Sequence, residues 1–202
     1  MSLWLSDQPL ILASQSKVRR ALLEAAGIPV EARPAHLDER AIEEQAGGAG
    51  PGEVAQTLAR EKARTVAAMS GNGIVVGCDQ TLALGERRFD KPADRAAARA
   101  QLRTMRGRVH ELYSAVTVCR NGSVTFNYVA VAQLSMRDFS DAFLEAYLDA
   151  AGANVTASVG AYQLEGIGIH LFEKIAGDHF TILGLPLLPL LGHLREDGVL
   201  AA

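Results

Sequence analysis

Cysteine is almost absent from this sequence. Only Cys78 and Cys119 occur in 202 residues, far apart and without the short spacing of a metal site, so we read two reduced, packed thiols and a cytoplasmic setting. Aromatic residues are scarce at 5%, and the formal net charge is -3 with both signs interspersed. A surface that binds a nucleic-acid backbone needs dense positive charge and stacking rings, so a nucleic-acid partner is not expected and any grip on phosphate has to be local. The five histidines, His36, His110, His170, His179 and His193, show no i, i+4 pairing, and no zinc site is assigned. No apolar run approaches the roughly 20 residues of a membrane helix. The longest candidate, "ILGLPLLPLLGHL", is broken by Pro186 and Pro189, and proline interrupts a helix interior. The opening "MSLWLSDQPL" has no basic start and carries Asp7, unlike a secretory leader. We therefore read a soluble chain with no membrane partner.

What is present suits a folded enzyme-sized chain. With 49% hydrophobic residues, the chain can bury a sizeable core as one large domain or two tightly joined lobes, and we treat residues 1–202 as a single domain. Leu10 to Ala13 reads as a buried strand. Ser16 is positioned to cap a helix whose apolar face is Val18, Leu22, Leu23 and Ala26, ending near Gly27 and Pro29. The segment "HLDERAIEEQAGGAGPG" reads as a mobile surface connection, because glycine and proline punctuate it. A helix over about Glu53 to Met69 turns Val54, Leu58, Ala59 and Val66 inward and carries Glu61, Lys62 and Arg64 on or near its other faces. "GIVVGCDQTLALG" is the most strand-like run and delivers Asp79 where a core strand meets a surface. A helix follows over about Ala93 to Met105, then two long β-type runs joined by Asn121-Gly122, a strong hairpin signal. Helices over Ser140 to Ala151 and about Pro186 to Arg195 complete the pattern. Alternating strands and helices, a central hairpin and terminal helices predict an α/β fold with a mixed sheet.

Several groups in this pattern carry chemistry. A strand that delivers Ser14 and Ser16 into a helix N-terminus presents hydroxyls beside free backbone N–H groups, where the helix dipole favours an anion; Arg19 and Arg20 add positive charge one turn in. Taken alone, the same residues also suit a plain N-cap followed by a solvated basic face. Asp38-Glu39 and Asp79 end two extended segments, as carboxylates that would hold a hard divalent ion together with substrate phosphates, or simply cap turns. Lys91, held extended by Pro92, could project toward a phosphate or into water.

With these pieces in place, the sequence resembles the Maf family of nucleoside triphosphate pyrophosphatases. The resemblance covers nearly the whole chain and rests on "LILASQSKVRRALLEAAGI", "LDER", "LAREKA", "VVGCDQT", "DKPAD", "MRGRVHELYSAV", "GAYQLEGIG" and "LGLPL" in that order. It implies a two-lobed, ITPase-like (anticodon-binding-like) α/β fold with a twisted mixed sheet, flanking helices and a cleft between lobes. It also implies hydrolysis of a nucleoside triphosphate to the monophosphate and pyrophosphate with a divalent metal, Mg²⁺ or Mn²⁺. By this resemblance Asp79 is the general base and shares the metal with Glu39. Ser14, Ser16 and Arg19 begin a phosphate-binding loop, and Lys62 and Lys91 reach the phosphates. Since an ordinary carboxylate is a weak base at neutral pH, the metal is expected to acidify the water and Asp79 chiefly to orient it. Members of the family are often dimers, which leaves a homodimer open.

The family divides into a branch preferring dTTP and UTP and one preferring 7-methyl-GTP. Gln80 and Glu165 resemble the second branch, where the first typically has Thr and Gln. An ionised Glu only accepts hydrogen bonds, which suits the N–H groups on the pairing edge of guanine, and N7-methylation adds a positive charge that a carboxylate favours. Val18 departs from both branches, which have Arg or Trp there, so the third selectivity position lacks a stacking ring; Phe180 stands where Asn is common. The expected substrate is 7-methyl-GTP or a similar modified nucleotide, in nucleotide-pool housekeeping. The alternatives are a dTTP/UTP pyrophosphatase and a nucleotide-binding regulator of cell division that needs no catalysis.

Overall fold

Leu10–Leu12 (β1) is buried along its whole length, which is what an uninterrupted apolar run requires of a strand with neighbours on both edges and helices on both faces. In the computed structural model, which describes residues 2–202, β1 runs parallel to Val30–Ala32 (β2) and to Val75–Leu84 (β3), with Leu10 opposite Val30 and Ile11 opposite Val75. Lys17–Ala25 (α1) makes the β1 to β2 crossover, and Glu39–Gln45 (α2) and Pro51–Ala67 (α3) lie between β2 and β3. Arg87–Phe89 (β4) pairs antiparallel with β3. After Arg95–Met105 (α4) come Val109–Arg120 (β5) and Ser123–Met136 (β6), then Asp141–Ala151 (α5), Phe172–Ala176 (β7), His179–Ile182 (α6) and Leu187–Glu196 (α7). The strands form one sheet in the order β2-β1-β3-β5-β6-β7, with β4 on β3. Parallel and antiparallel pairs occur together, so the sheet is mixed and helices flank it, as the sequence pattern implies. Among the described residues no helix is long and apolar enough to cross a membrane.

The chain divides into two compact units. The first comprises the chain up to Gln80, Ser114–Ala130 and His179–Ala202; the second comprises Thr81–Tyr113 and Val131–Asp178.

In the first unit the period of two along a strand sorts the core. Leu10, Leu12, Val76 and Cys78 pack with Leu23 of α1 and with Leu187, Leu190 and Leu194 of α7. Their alternates Ile11, Ala13 and Val75 pack with Ala63, Val66 and Ala67 of α3. Each buried leucine contributes on the order of 2 kcal/mol. Gly77 sits on the α3 face, where an added Cβ would lie 2.1 Å from the Ala59 carbonyl oxygen and 2.6 Å from the Ala63 nitrogen. The bare glycine lets the α3 backbone press against β3. That close approach brings α3 side chains to the middle of the strand at Asp79, which lies inside β3 and is buried, not at the strand's end as the sequence pattern suggests.

The structure departs from the sequence pattern at three points. Residues 39–45, expected within a mobile connection, form α2, because Asp38 Oδ1 accepts the Ala41 N–H at 3.1 Å and caps it. Lys62, expected on or near the outer faces of α3, is buried. The turn of helix α6, not expected, precedes α7. The Asn121-Gly122 turn behaves as expected: both residues have positive φ, 52° and 75°, the geometry of a tight hairpin turn.

In the second unit Asp94 and Ser140 cap α4 and α5, and Leu102, Met105, Leu144 and Leu148 are fully buried. Residues 152–171 hold three short 3₁₀ turns, after which β7 pairs antiparallel with β6.

Candidate active site

The site builds outward from the end of β1. The Ala13 N–H donates to the Val76 carbonyl at 2.8 Å, which keeps the chain beside β3 until Ser14 leaves the sheet. The Ser16 N–H then donates to Ser14 Oγ at 3.2 Å, and Ser16 Oγ accepts the Arg19 N–H at 3.3 Å. Ser16 is therefore the N-cap of α1, as its position in the sequence suggests. Arg19 turns back across this loop. Its Nε–H donates to the Gly184 carbonyl at 2.8 Å, and Nη1 donates to the Cys78 carbonyl at 3.1 Å and to Ser14 Oγ at 3.2 Å. Arg20 faces outward and pairs with Glu24 across one turn at 2.7 Å. Val18 is half-buried.

Asp79 lies on the same face of β3 as Val75 and Gly77, toward α3. Lys62 of α3 donates to Asp79 Oδ1 at 2.6 Å, and its Nζ lies 2.9 Å from Glu39 Oε1 at the start of α2. Asp79 is buried with Lys62, whereas Glu39 is exposed. Burial opposes the Lys62 charge, but the Asp79 carboxylate and the hydrogen bonds to Asp79 and Glu39 outweigh it and hold the ammonium above the ordinary lysine value. One cation thus bridges two carboxylates from different elements. Among the described residues no group of three or more His, Cys, Asp or Glu side chains is arranged to hold a metal ion. The donor set is two hard oxygen ligands that already share one positive charge, which suits an ion whose remaining ligands come from water and phosphate.

Gln80 points the other way. Its Nε2 donates to Ser114 Oγ at 2.9 Å and to the carbonyls of Thr181 and Ile182 at 3.2 and 3.0 Å. Ser114 Oγ also donates to the Thr181 carbonyl at 2.7 Å. This buried serine was missed by the sequence reading, although a small polar residue inside the mostly apolar run "LYSAVTV" is the kind of signal that marks an inward hydrogen bond. Phe180, half-buried in α6, packs against the core of the first unit.

The structure thus gathers Glu39, Lys62 and Asp79 at one point, and links Ser14 and Ser16 to Arg19, which binds the Cys78 carbonyl one residue before Asp79. Lys91 and Glu165 belong to the second unit and are both exposed there. That unit also holds a buried pair: His110 Nε2 and the Tyr162 hydroxyl are 2.8 Å apart. Among the described residues His110 Nδ1 has no hydrogen-bond partner. Burial pushes the His110 ring down to about 4 and the Tyr162 hydroxyl upward. Both cysteines are buried free thiols.

A family model described as Maf-like protein matches residues 9–197. The chain is similar to "Nucleoside triphosphate pyrophosphatase" from Rhodopseudomonas palustris (strain ATCC BAA-98 / CGA009), at 58% identity over 100% of both chains. It is 57% identical to the protein of the same name from Bradyrhizobium diazoefficiens, again over 100% of both. A "7-methyl-GTP pyrophosphatase" from Rhizobium meliloti (strain 1021) is 50% identical over 96% of this chain and 98% of its own.

Proposed function

This chain belongs to the Maf-like protein family, and from that premise we propose that it is a nucleoside triphosphate pyrophosphatase acting on 7-methyl-GTP or a similar modified nucleotide. The observation that carries the reading is the buried Asp79 carboxylate held against the Lys62 ammonium at 2.6 Å, with Glu39 on the same ammonium. The names of the relatives at 58% and 57% identity support the reaction, and the Rhizobium meliloti protein at 50% supports the base.

In this reading a water oxygen forms a bond to the α-phosphorus while the bond to the bridging oxygen of the β-phosphate breaks, releasing the monophosphate and pyrophosphate. Asp79 accepts a hydrogen bond from that water and orients it. Lys62 and Lys91 meet the charge on the leaving pyrophosphate, and the Ser14 to Ser16 loop with the first turn of α1 receives phosphate oxygens. Glu39 and Asp79 would hold Mg²⁺ or Mn²⁺, which when bound lowers the pKa of the attacking water and neutralises phosphate charge. Lys62 then serves the phosphates rather than the two carboxylates. Glu165 is assigned to the guanine edge, and Val18 and Gln80 to the same choice of base.

The test measures monophosphate and pyrophosphate release from 7-methyl-GTP, GTP, UTP, dTTP, CTP and ATP with Mg²⁺ or Mn²⁺. Preference for 7-methyl-GTP is expected. Preference for UTP or dTTP would overturn the assignment of Glu165, and no release from any of the six would overturn the enzymatic reading.

A further inference from the structure

We propose that Arg19 is a positioning residue that makes Ser14 a hydrogen-bond donor for phosphate, rather than a phosphate ligand in its own right. The proposal rests on the pyrophosphatase reading for the identity of the anion.

A serine hydroxyl has one hydrogen to give and two lone pairs with which to accept. Ser14 Oγ accepts from the Ser16 N–H and from Arg19 Nη1, both at 3.2 Å. Its accepting capacity is filled, so the hydrogen is what it has left to offer. A hydroxyl in that state is matched to phosphate oxygens, which accept without donating. Arg19 sets this state by supplying the second of the two donors.

Arg19 is also anchored where it stands. The same guanidinium binds the Gly184 carbonyl at 2.8 Å and the Cys78 carbonyl at 3.1 Å, so swinging it toward a substrate would strand two carbonyls and the hydroxyl together. Both carbonyls are held firmly. Cys78 is fully buried in β3, and the turn leading to Gly184 is fastened by Gln80 and Ser114 to the carbonyls of Thr181 and Ile182. Gly184 itself has φ +88°, and a Cβ there would lie 3.1 Å from Arg19 Nη2. The glycine leaves room for the guanidinium to lie against the turn. Gln80 and Ser114, on the α6 side of β3, therefore act on the phosphate loop through Arg19.

The test is a double-mutant cycle on the full chain with Arg19→Ala, Ser14→Ala and the pair, read as the affinity for inorganic pyrophosphate by calorimetry and as KM and kcat separately. Each single change is expected to weaken pyrophosphate binding and raise KM about tenfold, as loss of one hydrogen bond to a charged group does. The pair should lose no more than one single change, because both remove the same contact. Arg19→Lys, which keeps the charge but cannot span three acceptors, should be no better than Arg19→Ala, and it serves the cycle if the alanine variant fails to fold. Multiplying losses, or substantial rescue by lysine, would overturn the proposal in favour of direct contact between Arg19 and phosphate. Independently of any turnover, the Arg19 Nε–H should exchange slowly with solvent in the ligand-free protein. Exchange as fast as in free arginine would overturn the proposal even in an active enzyme, whereas a protected Nε–H in a protein that hydrolyses none of the six nucleotides would overturn the enzymatic reading alone.

Discussion

Lys62 Nζ stands 2.6 Å from Asp79 Oδ1, with the two side chains 11% and 10% exposed, while Glu39, on the same nitrogen at 2.9 Å, is 49% exposed. The two ion pairs share one ammonium and differ in solvation, so they differ in energetic weight. Lys62→Met leaves the Asp79 carboxylate buried without its partner and should cost about 3 kcal/mol. Glu39→Ala removes a well-solvated partner and should cost under about 1 kcal/mol. Urea unfolding of the ligand-free protein checks the contrast; equal losses would contradict it.

The sign of the Lys62 shift gives the pH dependence of that pair. The folded-state value lies above the ordinary 10.5, so its stabilising contribution is fully present below the unfolded value and is lost only as pH rises through the folded one. The stability difference between the wild type and Lys62→Met should therefore stay level from neutral pH to about pH 9.

Asp79→Asn should fold and lose turnover by about a thousandfold, within the range expected for a positioned acid-base group. Glu39→Gln should instead raise the Mg²⁺ concentration that gives half-maximal pyrophosphate release, by about tenfold, with a smaller change at saturating metal. Substantial activity in Asp79→Asn would remove that residue from its assigned role.

His110 is fully buried in the second unit, and burial lowers its ring from 6.5 to about 4. Between these values the unfolded chain binds a proton that the folded chain refuses, so stability falls as pH drops from 6.5 toward 4, by about 3 kcal/mol at most, and is whole above 6.5. Melting temperatures across that range should fall more steeply for the wild type than for His110→Asn, which carries no titrating ring.

Gly77→Ala should be among the most damaging single-methyl additions, because the new Cβ would meet α3 backbone atoms at 2.1 and 2.6 Å. Relief requires α3 to move away from β3, which also parts Lys62 from Asp79. Loss of soluble protein, or several kcal/mol of stability lost together with activity, is the expected outcome.

The strand, loop and helix over residues 10–25 and the hairpin turn at Asn121-Gly122 were legible because their causes are local: an apolar run, an N-cap serine, and a dipeptide tolerant of positive φ. Lys62 was misplaced although the signal was present. It shares the four-residue stripe of Val54, Leu58 and Val66 on α3, all buried, although an isolated lysine ordinarily avoids burial. The α2 helix was obscured by the glycines that follow it, which masked the cap at Asp38.

By itself the sequence determined the β1–α1 unit, the long central hairpin, the alternation along β3 and the family motifs, because periodicity and turn chemistry act between near neighbours. Alternation along β3 sends Asp79 and Gln80 to opposite sides, and that follows from strand geometry alone. What each side chain meets there was decided by the tertiary structure. The Asp79 partner lies 17 residues away, and Arg19 finds a carbonyl 165 residues along the chain. Such pairings arise when helices pack on both faces of the sheet and each buried polar group must find a partner. No local pattern encodes those distances.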